Sequence, residues 1–167
     1  MGYILTRDDA IAQREALRWA NQTLVFTNGH FDLLHVGHLD YLEKARVLGD
    51  VLYVGLNGDE CTRRLKGAGR PLVPAVERAR LLAALTPVSG VVIFEEDTAV
   101  ELIKVLRPEV YVKGGDYGTH NGDQLVLKKP LPEQTVVEAY GGHIALIDYL
   151  PDHSTTTLIQ RIKALPE

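Results

Sequence analysis

Residues 26–38 read FTNGHFDLLHVGH and place His30, His35, His38, Gly29, Gly37 and Asp32 in one short stretch. His35 and His38 are three positions apart at a loop-to-helix junction, so both side chains share one side of the first helical turn. Gly37 between them carries no side chain to keep a ligand off the backbone. A helix start presents free N–H groups and partial positive charge, which favours an anion. Imidazoles placed there donate hydrogen bonds to phosphate oxygens and carry positive charge when it develops opposite them. Two other readings compete. Each histidine is ordinarily a capping or core residue satisfied by backbone. Zinc is the other option, with His30, Asp32, His35 and His38 as ligands. No cysteine joins that set, and its spacing matches no helical zinc motif.

Other segments offer complementary chemistry. Arg63, Arg64, Lys66 and Arg70 lie in a glycine-containing basic stretch, followed by Arg78 and Arg80. A charge run is usually a solvated face; on an acidic protein, beside histidines, this one fits polyphosphate better. Lys113-Gly114-Gly115-Asp116 ends an apolar run, and its glycines either let backbone approach a nucleotide base or form a plain turn. Asp152-His153-Ser154-Thr155-Thr156-Thr157 opens the last helix with hydroxyls and free amides, with Ser154 as its candidate N-cap. No GxxxxGK[ST], no GxGxxG after the first buried strand and no Gly-x-Ser-x-Gly occurs. Walker, dinucleotide-binding and hydrolase-elbow sites are thereby disfavoured.

The elements that must position these groups alternate. Thr6 to Asp9 reads as a helix N-cap, followed by a modest amphipathic helix. Apolar runs at 23–27, 51–56, 91–94, 110–112 and 143–147 read as five buried strands. Helical spacing is expected over 36–48, 75–85, 99–106 and 155–164. Strands apolar on both faces that alternate with helices predict an α/β fold, a Rossmann-like three-layer sandwich around a five-stranded parallel sheet. Its unusual residues fall at 28–38, 57–70, 113–118 and 148–156, beyond the carboxyl ends of strands, where open sheets bind ligands. The segment 117–133, with Gly118, Asn121, Gly122, Pro130 and Pro132, reads as the least regular part, and long connections usually carry function or move.

Composition sets outer limits. A chain of 167 residues suits one domain, 1–167, burying roughly 70% of its unfolded surface. With 46% apolar and 24% charged residues and a net charge of -4, it reads as globular, with no sign of bulk nucleic-acid binding. The single cysteine, Cys61, excludes an intramolecular disulfide and suits a reducing cytoplasm. The N-terminal residues lack the apolar core of a signal peptide, and no later run approaches transmembrane length. A cytoplasmic protein without membrane or nucleic-acid partners is expected.

With His35-Val36-Gly37-His38 and Ser154-Thr155-Thr156 placed, the chain resembles the cytidylyltransferase-like nucleotidyltransferases, marked by HxGH after the first strand and S-T-T before the last helix. The likeness runs from about Leu24 to Ile162. Within that superfamily it is most similar to the adenylyltransferases of ADP-heptose synthesis. Residues 26–38, 64–71, 94–98 and 112–117 carry that likeness. Two departures stand out: His30 where those enzymes often have cysteine, and Ser89-Gly90 where an acidic residue commonly precedes the third strand.

The resemblance implies transfer of AMP from ATP, with Mg²⁺, to a sugar 1-phosphate such as D-glycero-β-D-manno-heptose 1-phosphate, and release of pyrophosphate. A sugar phosphate is already anionic, so no catalytic base is needed; the reaction needs in-line positioning and relief of charge. His35, His38, Lys66 and Arg78 are the implied catalytic group. His30, Phe31, Gly37, Ser154, Thr155 and Thr156 would hold the triphosphate, and Lys113, Gly115 and Asp116 would line the base pocket. No side chain is assigned as a metal ligand. Homodimers are common among similar enzymes. A cytidylyltransferase using CTP and glycerol 3-phosphate or a related alcohol phosphate remains the alternative, and a nucleotide sensor or zinc module the rival of another class.

Overall fold

The computed structural model describes residues 1–121 and 124–166. Its main sheet has six parallel strands: β1 (Tyr3–Leu5), β2 (Leu24–Gly29), β3 (Val51–Asn57), β4 (Gly90–Phe94), β5 (Val110–Gly114) and, near the end of the chain, β8 (His143–Ile147). They lie in the order β1-β4-β3-β2-β5-β8. The expected architecture is present, with one strand more than the five apolar runs predicted. The extra strand, β1, pairs Tyr3 with Gly90 and Leu5 with Val92 at the sheet edge. Three residues with only Leu5 buried are too short to leave a periodic signal.

Helices α1 (Arg7–Trp19), α2 (Val36–Arg46), α4 (Ala75–Ala84), α5 (Val100–Leu106) and α7 (Thr155–Lys163) fall where helical spacing places them. Thr6 caps α1 by accepting from the Asp9 amide at 3.1 Å. Two helices were not expected. Helix α3 (Asp59–Lys66) occupies part of the basic connection, buries Cys61 and Thr62, and has its Cys61 amide capped by the Glu95 carboxylate at 2.8 Å. Helix α6 (Glu133–Ala139) follows Pro132, and the preceding segment forms a hairpin of β6 (Gly118–Asn121) and β7 (Gln124–Leu127). Gly122, part of that expected loop, lies outside the described residues.

Neighbouring residues of the central strands face opposite sides, and both sides are buried. Leu24, Phe26 and Tyr111 join Leu102, Ile103 and Leu106 in one cluster, while Val25, Val54 and Val112 join Leu42, Ala79 and Leu82 in the other. That double burial, worth roughly 1.5–3 kcal/mol per large side chain, makes the sheet a rigid platform. From β2 the chain builds outward through β3 and β4, then returns to place β5 and β8 on the other side. A crevice therefore opens beyond the carboxyl ends of β2 and β5, the switch point at which such sheets bind ligands.

Candidate active site

Two adjoining cavities of about 540 and 600 Å³ occupy that crevice and share His38, Lys66, Tyr149 and Thr155. Helix α2 starts at its mouth. Tyr41 anchors this helix from below: its hydroxyl lies 2.8 Å from Thr27 Oγ1, and both hydroxyls donate to the Val112 carbonyl at 3.1 Å. His35 is the N-cap residue, yet its side chain makes no capping bond. The His35 and His38 rings stack with centroids 3.9 Å apart, and His38 tilts against Phe31 at 5.1 Å. Both Nδ1 atoms are buried with no hydrogen-bond partner among the described residues. Neither ring is thus the satisfied capping or core histidine that would be the ordinary outcome. Desolvation, with His35 alongside, lowers the His38 pKa to about 4; desolvation and His153 lower that of His35. Both are neutral at pH 7 and act first as hydrogen-bonding groups rather than charges.

Gly37 is required by this packing. A Cβ there would stand 2.9 Å from His153 Cβ and 3.0 Å from His35 Nδ1. Phe31 adopts φ 44°, a left-handed conformation that non-glycine residues rarely take. Across the mouth, Ser154 caps α7 by accepting from the Thr157 amide at 3.0 Å. Thr155 and Thr156 line the 540 Å³ cavity, and Ser154 and Thr155 the other. The amides at the start of α7 therefore belong to the same crevice as the α2 start.

The basic stretch is not a free cluster. Arg63 pairs with Glu60 at 2.5 Å, Arg64 with Asp97 at 2.8 Å, and Arg70 with Asp32 at 2.5 Å. Lys66, the last residue of α3, enters no ion pair among the described residues and lines both cavities. Asp32 also accepts from the Leu72 and Val73 amides at 2.7 and 3.0 Å, so it pins residues 70–73 to the loop below the histidines. Arg78 departs from the charge-relief role. It is fully buried, and its guanidinium donates to Val73 O, His30 O, Asn57 O and Asp59 Oδ1 at 2.5–2.9 Å. Those bonds leave it joining β3, α3 and the His30 loop instead of lining either cavity. His30 places Nδ1 2.9 Å from Thr62 Oγ1, and desolvation, then Lys66, Arg78 and Arg70, lower its pKa to about 4.

At the floor, Lys113 is 7% exposed and donates to Asn28 Oδ1 at 2.8 Å; Tyr111 donates to the same oxygen at 2.7 Å. Desolvation lowers the Lys113 pKa to about 8, against the nearby charge of Glu133. Gly114 and Gly115 make room for the chain itself. Added Cβ atoms would fall 2.0 Å from the Tyr149 hydroxyl and 2.3 Å from Asp148 Oδ1. Asp116 is paired with Lys129, whose ammonium sits 3.8 Å from the Tyr117 ring centre. Asn28, Tyr111, Glu133 and Tyr149 were absent from the residues singled out above. The available signal was a lysine in an apolar strand, two positions from Tyr111 and so on its face.

Among the described residues no group of three or more His, Cys, Asp or Glu is placed to hold a metal ion, and none of the helices is long and apolar enough to cross a membrane. A parallel sheet with paired imidazoles at a helix start beyond its switch point defines the HxGH class of nucleotidyltransferase folds. The chain belongs to the cytidylyltransferase-like family, whose model matches residues 26–161. It is 50% identical over 167 residues to a bifunctional protein HldE of Syntrophotalea carbinolica, covering 96% of this chain and 32% of that one. It is 52% identical over 154 residues to a bifunctional protein HldE of Geotalea uraniireducens, covering 92% and 29%. The chain thus spans about a third of the length of these relatives. In fold it is similar to a lipopolysaccharide core biosynthesis protein from Thermoplasma volcanium, with TM-score 0.59, 22% identity and coverage of 77% of this chain and 97% of that one.

Proposed function

We propose that the chain is an adenylyltransferase that moves AMP from ATP to a sugar 1-phosphate, D-glycero-β-D-manno-heptose 1-phosphate, releasing pyrophosphate. The observation that carries this reading is the stacked His35–His38 pair, unpartnered at Nδ1 among the described residues, with His38 and Lys66 lining both cavities and His35 one of them. The identity with HldE proteins favours the heptose substrate and ATP over CTP with an alcohol phosphate. A sugar-phosphate oxygen attacks the α-phosphorus; the new O–P bond forms as the bond to the bridging β-phosphate oxygen breaks, and pyrophosphate leaves with that electron pair.

His35 and His38 donate hydrogen bonds to phosphate oxygens as charge develops, and Lys66 supplies the fixed positive charge. Ser154, Thr155 and Thr156 present hydroxyls and the α7 amides to the departing pyrophosphate. Arg78 is a positioning residue that holds the His30 loop. Mg²⁺ bound with ATP would neutralise charge on the phosphates. Asp32, Asp97 and Asp116 each already pair with a lysine or arginine, which fits a cation held by phosphate oxygens and water rather than by a protein cage. The test is pyrophosphate release measured with ATP and CTP against a panel of sugar and alcohol phosphates. Turnover restricted to ATP and heptose 1-phosphate is expected; turnover with CTP and glycerol 3-phosphate, or none with any pair, would overturn the reading.

A further inference from the structure

The floor of the 540 Å³ cavity differs in chemistry from the mouth of the crevice. Lys113 uses one ammonium hydrogen on Asn28 Oδ1 and enters no ion pair among the described residues, although it is almost entirely buried. Asn28 directs its oxygen at Lys113 and Tyr111, and its amide N–H groups have no acceptor among the described residues. Glu133, 4% exposed, accepts the Ala99 amide through Oε1 at 3.0 Å, and its other oxygen accepts no hydrogen bond among the described residues. All three residues line the cavity. Lys113 is thus offset by Glu133, and Lys129 by Asp116. The floor is close to neutral and offers unused donors beside an unused acceptor. Excess positive charge lies at the other end, on Lys66.

A phosphate needs donors and net positive charge; a hydroxyl needs a donor and an acceptor together. Building on the adenylyl-transfer reading, we propose that Lys113, with Asn28 and Glu133, is a specificity-determining residue that reads hydroxyls of the acceptor sugar. A sugar hydroxyl accepts from the Lys113 ammonium and donates to the free Glu133 oxygen, and the Asn28 amide donates to its neighbour. This assigns Lys113 to the acceptor rather than to the nucleotide base. The ammonium already donates to Asn28 and lies over the Tyr111 and Tyr117 rings at 5.5 and 5.0 Å, so a sugar lacking the hydroxyl leaves its remaining donors unmatched, and sites built this way reject such analogues strongly.

Lys113→Met removes the donor and keeps an apolar stem; Glu133→Gln keeps the acceptor for Ala99 and removes the charge. Circular dichroism and thermal unfolding establish that each variant is folded, and Glu133→Gln carries the test where Lys113→Met is not. Heptose 1-phosphate binding is read by calorimetry without nucleotide, a non-hydrolysable ATP analogue is titrated separately, and pyrophosphate release is followed with the sugar phosphate and its deoxy analogues. We expect heptose 1-phosphate affinity to fall about 10- to 100-fold in Lys113→Met, nucleotide affinity to stay within twofold, and discrimination against one deoxy analogue to collapse. Sugar affinity and selectivity at wild-type level, or equal losses for both ligands, would overturn this assignment while adenylyl transfer by the wild type stands. A wild type that binds heptose 1-phosphate in a Lys113-dependent way without turnover would instead overturn adenylyl transfer. A wild type that does neither overturns both.

Discussion

The mouth and the floor belong to one crevice, yet they are built by opposite rules. At the mouth, His35 and His38 are held by packing at the start of α2 and Lys66 stands at the end of α3; among the described residues both Nδ1 atoms are unpartnered and Lys66 is in no ion pair. At the floor, Lys113, Tyr111 and Asn28 are tied to one another. Uncommitted donors beside a free lysine suit a ligand that brings its own negative charge; a neutral, pre-wired patch suits one that brings hydroxyls. The contrast teaches that a basic character read from composition says little. Four of the arginines nearby are neutralised by carboxylates, and Lys66 is left to carry positive charge at the mouth.

The largest effect expected on this contrast comes from His38→Ala. Removing one preorganised donor to a developing oxyanion costs on the order of 10²- to 10³-fold in turnover. The loss should appear in pyrophosphate release under saturating substrates. Turnover within a few-fold of wild type would mean that the imidazole only packs on Phe31. Next comes Arg78→Met, which acts through the scaffold. It strips donors from three carbonyls and from Asp59, and should cost about 3 kcal/mol in a urea titration. Turnover per folded molecule should then fall far less than in His38→Ala. A fully stable Arg78→Met protein with no turnover would return Arg78 to the mouth's chemistry.

How much of this was legible in the sequence follows from the range of each signal. The five apolar runs and the HVGH and STT segments are local patterns, and the structure brings both segments to one crevice as their positions at strand ends imply. What was missed depends on partners distant in the chain. Helix α3 hides in a charged stretch because its cap comes from Glu95, more than thirty residues on. Arg78 looked like a phosphate ligand because its residue type does not reveal that Asp59 and three carbonyls saturate it. Gly114 and Gly115 suggested an approach for a base, whereas Tyr149 and Asp148 take that space. Asn28 carried no signal of its own in the sequence, because its role depends on β5 placing Tyr111 and Lys113 against its oxygen.

The smallest effect tests how dry the wall beside the mouth is. His30 lines the 540 Å³ cavity, bonded to Thr62, with its pKa lowered from 6.5 to about 4 by desolvation and by Lys66, Arg78 and Arg70. His38 is lowered to about 4 by desolvation and His35. Because these folded-state values lie below the unfolded one, the unfolded chain binds more protons between pH 6.5 and 4. Stability therefore falls as pH drops through that window and does not depend on these groups above it. In His30→Asn, the amide takes the place of Nδ1 beside Thr62 without titrating, so one proton's share of the slope disappears. Urea midpoints from pH 7.5 to 5 should show the variant gaining on the wild type as pH falls, with carboxylate titration cancelling in the difference. A gap that stays constant would mean that His30 is well solvated. A saturating non-hydrolysable ATP analogue sharpens the contrast further. Phosphate charge at the mouth should raise the His30 pKa and shrink the gap, whereas a sugar seated only on the neutral floor should leave it unchanged.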